Sequence, residues 1–332
     1  MRKRLATCVA LLIILLLIGG CGIRRAGNEK QPAPAETAET PRKIVVQAPL
    51  APATAPLFKM VKDGLLQGTR LELIIYKSVE EATARVVKGE ADFTILPVNV
   101  AAKLYNRDVK ISLANVNTWG ILYLVSVDGS VKKWEDLKGS ELYVGARGST
   151  PDVLTQYLLR RSGLPEGSVK LTYLGSPEIA QLMINGLIKN AVLPEPLVTQ
   201  VLLKNQQARV VSDFFADWQK LEGKTTRLPQ AGMIVRNEFA RSYPIAVTGL
   251  QRAYAEAMEW TVTNPEKAAL LVEANLQIPA PVFVKSLERT RLQFATGSKA
   301  KGDVQIYLTR LLEFSPDMVG GKIPDEKFFL VD

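Results

Sequence analysis

The chain has 332 residues, with 42 Lys and Arg against 33 Asp and Glu, and a formal charge of +9. Its basic residues are spread along the sequence with no dense block, which speaks against nucleic-acid binding. It contains no histidine and only Cys8 and Cys21 as cysteines, which excludes Ser/His and Cys/His nucleophiles, His-metal sites and a Cys zinc cluster.

Arg2, Lys3 and Arg4 precede an uncharged apolar run from Leu5 to Ile18, which small residues follow. The run is shorter than the roughly 20 residues a bilayer core needs, and the layout is that of a secretory signal. Its end, Ile18-Gly19-Gly20-Cys21, resembles a bacterial lipobox. That resemblance implies cleavage before Cys21, so that residues 1–20 are a lipoprotein signal peptide, and diacylglycerol on the Cys21 sulfur. The alternative is an uncleaved N-terminal anchor. Both put the rest of the chain outside the cytoplasm beside a membrane. Gly22 is not Asp, so an inner-membrane retention signal of the Gram-negative type is absent. Cleavage would leave Cys21 with no internal disulfide partner and a net charge near +6. Mild attraction to an anionic membrane surface is compatible with that charge.

Residues 21–42 are polar, rich in Pro and Ala, and without apolar periodicity; they read as a disordered tether. The body opens with Ile44-Val45-Val46, an apolar run suited to a buried strand. Thr54 with Pro56 marks a helix start, and Leu57, Met60, Val61 and Leu65 follow at helical spacing. "LELIIY" (71–76) is the next strand. Ser78 and Glu81 form a capping-box pattern, and that helix runs to Gly89. A strand at 92–96, a helix at 98–105 and strands within 109–116 and 120–127 follow. The alternation resumes at 141, with strands near 141–146, 169–174, 190–193 and 208–214 and helices near 151–163, 176–188 and 195–205. Beyond "LPQAGMIVRNEF" the pattern reads as helices only. Tyr243 to Thr263 carries Val247, Leu250, Tyr254, Ala257 and Trp260 on one stripe. Asn264-Pro265-Glu266 starts the next helix, and two more lie near 281–290 and 302–313. Two α/β blocks imply two lobes with largely parallel sheets, and ligands then bind outside the carboxyl ends of the strands.

In this order and spacing, "APLFKMVKDGLL", "VVKGEADFTIL", "VKKWEDLKGSELYVGARGSTPDVLTQYLLRRSGL", "NAVLPEPLVTQVL" and "WTVTNPEKAALLV" resemble the SsuA/THI5-like (NMT1) solute-binding proteins of bacterial ABC importers. The likeness spans about residues 43–275. It implies a type II periplasmic-binding-protein fold, with one discontinuous lobe (43–125 plus 233–332) and a second lobe (126–232). Two hinge strands near 122–127 and 231–236 would join them around a ligand cleft, closing on ligand in the form a transporter recognises.

The candidate ligand-binding residues follow the strands. Ala53 and Thr54 sit at a helix N-terminus, where free N–H groups attract anions, or are an ordinary capped loop. Val98 and Asn99 open the helix after the third strand; Asn99 either meets ligand or caps its helix. Thr118 and Trp119 offer a stacking wall for a flat ligand, or Trp119 is core. "GARGSTPD" (145–152) is the most informative junction. Gly148 permits close approach, Ser149 and Thr150 supply hydroxyls, and Arg147 grips an anion or points to solvent. It lacks the P-loop pattern, and Asp152 would offset anion affinity. Glu195 in "LPEPL" either accepts from ligand N–H groups or binds a helix-start donor. Gly232 and Met233 touch ligand or line the hinge. Together these suggest a small, flat or zwitterionic organic solute.

The expected function is a non-enzymatic solute-binding lipoprotein of an ABC importer, lipid-anchored at the membrane and monomeric. It needs no cofactor or metal, and its partners are a small solute and a membrane permease. The solute would be a sulfonate, a nitrate-like anion or a thiamine-precursor-like heterocycle. The alternatives are a sensor lipoprotein reporting to a membrane receptor, and an enzyme on the same fold. Against an enzyme stand the missing histidine of THI5-like synthases and the missing Thr-Arg-Phe motif of prephenate dehydratases.

Overall fold

A computed structural model describes residues 40–331 other than Ala146. The expected signal peptide, Cys21 and the tether up to residue 39 lie outside the described residues. Pro41 and Arg42, assigned above to the tether, are already fastened to the body. The Pro41 carbonyl accepts from Thr69 Oγ1 at 2.8 Å, and the Arg42 carbonyl accepts from the Arg70 amide at 2.9 Å.

The first half of the chain alternates as its apolar pattern requires: β1 (Lys43–Pro49), α1 (Ala55–Asp63), β2 (Arg70–Tyr76), α2 (Val79–Lys88), β3 (Phe93–Pro97), α3 (Val98–Asn106), β4 (Ile111–Thr118) and β5 (Leu122–Ser126). The second block is β6 (Glu141–Val144), α4 (Thr150–Arg161), β7 (Lys170–Tyr173), α5 (Ser176–Ile184), β8 (Asn190–Pro194), α6 (Leu197–Lys204), β9 (Arg209–Asp213) and α7 (Phe214–Glu222). Then come β10 (Ala231–Arg236), α8 (Asn237–Ser242), α9 (Pro244–Thr263), α10 (Pro265–Leu276), α11 (Ala280–Leu287), β11 (Leu292–Thr296) and α12 (Gly297–Phe314).

Local signals act where they stand. Ser78 caps α2 by accepting from the Glu81 amide at 3.2 Å, and Gly89 ends the helix with φ of 70°. Val247, Leu250, Tyr254 and Ala257 are buried along α9. At three points the structure departs from the sequence expectation. Thr54 does not cap α1: its backbone is already helical, it ends a 3-10 turn (Pro52–Thr54), and its hydroxyl donates to the Pro49 carbonyl at 2.6 Å. The helix α7 was not anticipated; Asp213 caps it by accepting from the Phe215 amide. The C-terminal part is not helical throughout, because β11 pairs antiparallel with β4 at the sheet edge. An edge strand with one half-buried face shows too little alternation to stand out between helices.

The strands form two sheets. One has six strands in the order β11-β4-β10-β3-β1-β2; the other has five in the order β7-β6-β8-β5-β9. The β1/β2, β1/β3, β6/β7 and β6/β8 pairs are parallel. Two strands of the first sheet, β10 and the edge strand β11, run opposite to the rest, and in the second sheet only β5 does. β5 leaves the first sheet at β4 and lies between β8 and β9, while β10 returns and lies between β3 and β4. These are two α/β lobes joined by two hinge strands. At the crossings the Gln230 amide donates to the Thr118 carbonyl at 2.9 Å, and Trp119 and Gly120 exchange backbone hydrogen bonds with Arg291. One buried apolar cluster includes Leu113 and Val116 from one sheet, Trp119 on the crossing, and Leu124, Val144 and Val192 from the other sheet. Among the described residues no helix is long and apolar enough to cross a membrane.

Candidate functional site

A cleft of about 600 Å³ opens between the sheets at the carboxyl ends of their parallel strands. Pro49, Ile95, Thr118 and Pro194 line it from the strand ends. Four helices begin on it, presenting Ser78 and Val79 of the α2 entry, Asn99 and Val100 of α3, Ser149 to Pro151 of α4, and Ser176 and Pro177 of α5. Each helix start carries N–H groups without a partner in its own helix and the positive end of its dipole, equivalent to about half a charge; of these, the Glu81 amide is capped by Ser78 and the Val98 amide donates to the Gln230 carbonyl. Arg147 and Lys77 add full positive charges, and Glu80 is the one carboxylate among the lining residues. Ile95, Val100, Ile121 and Leu122 make the rest of the wall apolar.

The loop between β6 and α4 is held from behind. Asp152 is buried, and its carboxylate accepts from the Gly148 amide at 2.7 Å, Gln156 Nε2 at 2.7 Å and Tyr173 hydroxyl at 2.9 Å. Burial and the Asp152 charge push the Tyr173 phenol up to about 12, so it stays a donor. The Arg147 guanidinium lies 4.5 Å over the Tyr173 ring. Gly148 has φ of 73°, a conformation that other residues adopt only with strain. Asp152 therefore shapes the loop and does not face a solute with an open carboxylate. Ser149 is the N-cap of α4 but makes no capping hydrogen bond, and its hydroxyl is buried without a partner. Thr150 Oγ1 donates to Asn99 Oδ1 at 2.8 Å, which joins α4 to α3 across the two lobes and leaves the Asn99 amide nitrogen for the cleft. Asp152→Asn turns one acceptor toward these donors into a donor. It is expected to cost about 1–3 kcal/mol, measured by urea denaturation, and to lower affinity for an anionic solute. A simple electrostatic offset would raise that affinity.

Of the residues singled out from sequence, Ala53, Asn99, Thr118, Arg147, Ser149 and Thr150 line this cleft together. Six others do not. Thr54 is buried with its hydroxyl on Pro49. Val98 and Met233 are fully buried core residues. Gly232 serves close packing: a Cβ there would lie 2.4 Å from the Asn115 carbonyl oxygen on β4. Trp119 is 1% exposed, donates Nε1–H to the Gln293 carbonyl at 2.8 Å, and is covered by the Arg227 guanidinium at 3.7 Å. It is an interlobe core residue, not a stacking wall. Glu195 is buried and accepts from the Thr199 amide and hydroxyl, each at 3.0 Å, and from Arg289 Nε at 2.5 Å. Its carboxylate is closed off from the cleft, which removes the reason for expecting an amine-bearing solute.

Gln230, Lys77, Ile121 and Ser176 were missed. The signal for Ser176 was available: "GSP" (175–177) repeats, one residue shorter, the "GSTP" (148–151) strand-to-helix junction. Gln230 had no local signal, since its partners lie far away in sequence.

The NMT1-like family profile matches residues 50–276. The chain belongs to the NMT1-like family. Among solved structures, this NMT1-like protein is similar to an ABC transporter protein of Parabacteroides distasonis. That pair is 26% identical with a TM-score of 0.76, covering 87% of this chain and 99% of the other. It also shares its fold with the periplasmic aliphatic sulphonate-binding protein SsuA of Escherichia coli, at 16% identity and a TM-score of 0.69, covering 82% and 88% of the two chains. The periplasmic nitrate-binding protein NrtA of Synechocystis PCC 6803 is similar at 14% identity and a TM-score of 0.63, with 84% of each chain covered. No curated protein matches the chain.

Proposed function

We propose that this NMT1-like protein is the extracytoplasmic solute-binding component of an ABC importer, anchored by lipid on Cys21 after loss of residues 1–20. Its solute is a small organic anion with an apolar body. The observation that carries the solute class is the cleft itself: four helix starts, Arg147 and Lys77 converge there, while Asp152 and Glu195 are engaged elsewhere. The apolar walls suit a carbon skeleton better than a bare inorganic ion. The protein acts by binding and not by turnover. Capture would draw the lobes together about the two crossing strands, and the closed form would dock on a membrane permease. We place the lobe boundaries at the crossings near Gly120 and Gln230. β5 pairs only with strands of the second sheet and β10 only with strands of the first, so boundaries at 125 and 232 would cut through both strands. The sulfonate and nitrate specificities named for SsuA and NrtA are consistent with an anion site.

Calorimetry against ethanesulfonate, benzenesulfonate, benzoate and matched amines tests the reading. At least one anion is expected to bind. Arg147→Ala is expected to weaken it about 10- to 100-fold, the range of a charge-assisted hydrogen bond, and less so in high salt. Binding of amines and of no anion would overturn the anion class.

A further inference from the structure

Gln230 immediately precedes β10, is among the residues lining the cleft, and is only 4% exposed. Three hydrogen bonds fix it. Its amide donates to the Thr118 carbonyl at 2.9 Å, its carbonyl accepts from the Val98 amide at 3.2 Å, and its side-chain Oε1 accepts from the Ile121 amide at 2.6 Å. Thr118 and Ile121 flank the first crossing between the sheets, and Gln230 ends the second, which returns from α7 to β10. One residue therefore ties both crossings together.

The other end of the side chain is unpartnered. Nε2 is buried and has no partner. The orientation of the amide is determined by its neighbour, because the Ile121 N–H obliges the oxygen to face it and the nitrogen to face away. A buried amide nitrogen without an acceptor costs stability, so such groups call for an explanation. Ile121, the partner of Oε1, also lines the cleft. An acceptor atom of a bound solute would satisfy Nε2.

We propose that Gln230 is a solute-binding residue that couples occupancy of the cleft to the hinge, its Nε2 donating to an acceptor atom of the solute while Oε1 holds the first crossing. The proposal rests on the cleft being the solute site. It requires the solute to carry an acceptor directed at the hinge, such as a sulfonate, carboxylate or carbonyl oxygen. It also accounts for how binding would be felt at the crossings: the atom that meets solute and the atom that holds Ile121 share one rigid amide plane.

The test uses the full chain and two variants, Gln230→Met and Gln230→Glu, at pH 8.5. Met lacks both donor and acceptor; the ionised Glu keeps the acceptor for Ile121 and lacks the donor. Calorimetry would use ethanesulfonate, benzenesulfonate and benzoate, with benzamide and cytosine as neutral acceptor-bearing solutes. The wild type is expected to bind at least one probe, and each folded variant to bind it about 10- to 100-fold more weakly. Bound probe is expected to slow hydrogen exchange at the Ile121 amide in the wild type. In Gln230→Glu, free exchange there should match the wild type and the added protection should be lost, which separates loss of the donor from damage to the hinge. Retention of affinity within twofold in either folded variant overturns the inference and leaves the anion reading standing. Gln230-dependent binding of benzamide or cytosine, with no anion bound, upholds the inference and overturns the anion reading. Failure of every probe to bind the wild type overturns both.

Discussion

Arg289→Ala is expected to lower the stability of the folded protein by about 3–5 kcal/mol, the usual cost of removing one partner from a buried ion pair. The Glu195 side chain is fully buried and Arg289 is 22% exposed. Arg289 donates from Nε to Glu195 and from Nη2 to Thr199 Oγ1 at 2.7 Å, bridging the segment after α11 to the β8–α6 junction of the other lobe. Without it the carboxylate keeps only the Thr199 donors in a dry site. Burial already raises the Glu195 carboxyl above its ordinary range, with Arg289 and the Thr199 amide pulling the other way. A carboxyl raised on folding contributes most at a pH below its unfolded value of about 4.3 and loses that contribution as pH rises through its folded value. Removing Arg289 raises it further. The deficit of Arg289→Ala is therefore expected to be largest at neutral to alkaline pH and to narrow toward pH 5. Urea titrations at pH 8 and pH 5 check this; a deficit that grows toward acid would show that the carboxylate is not the cause. Arg289→Met with Glu195→Gln is expected to recover most of the loss, because no uncompensated charge remains.

Trp119→Ala is the second large effect, expected at about 3–5 kcal/mol for a fully buried aromatic truncated to a methyl group, or roughly 6–15 °C in melting temperature. The cavity would open between the two sheets. It would also strip the apolar support from Arg227, whose backbone amide and Nε donate to the two carboxylate oxygens of Asp303, each at 2.9 Å. Trp119→Phe keeps most of the packing and leaves the Gln293 carbonyl without its donor. It is expected to cost about 1–3 kcal/mol and to leave anion affinity within twofold. Loss of affinity in Trp119→Phe at intact stability would return this residue to the solute site.

What could be read in the sequence and what could not divides by the distance of the partners. The strand–helix order was legible because burying one stripe of a helix imposes a local period, and burying both faces of a central strand gives a short continuous apolar run. Ser78 and Gly89 bound α2 through contacts within a few residues. The junctions at 47–56, 96–103 and 145–152 were legible as candidates for the cleft because a parallel sheet places its ligand beyond the strand ends. Within those junctions the identity of the contacting side chain was not legible. Ala53 and Asn99 face the cleft while their neighbours Thr54 and Val98 face the core, a choice made by the packing of α1 and α3 on the sheet. β11 was missed because an edge strand needs only a fragment of the pattern.

The sequence by itself determined the alternation of elements, the family likeness, the absence of histidine chemistry and the loop richest in small polar groups. Only the tertiary structure decided which charges the cleft keeps. Glu195 is removed from it by Arg289, 94 residues away, and Asp152 turns its carboxylate to Tyr173, 21 residues away, as well as to the nearby Gly148 amide. Gln230 acquires its place through Ile121, 109 residues away. Hydrogen bonds and ion pairs of such long sequence separation leave no local trace, because nothing in the spacing of a single residue records which partner folding will bring to it.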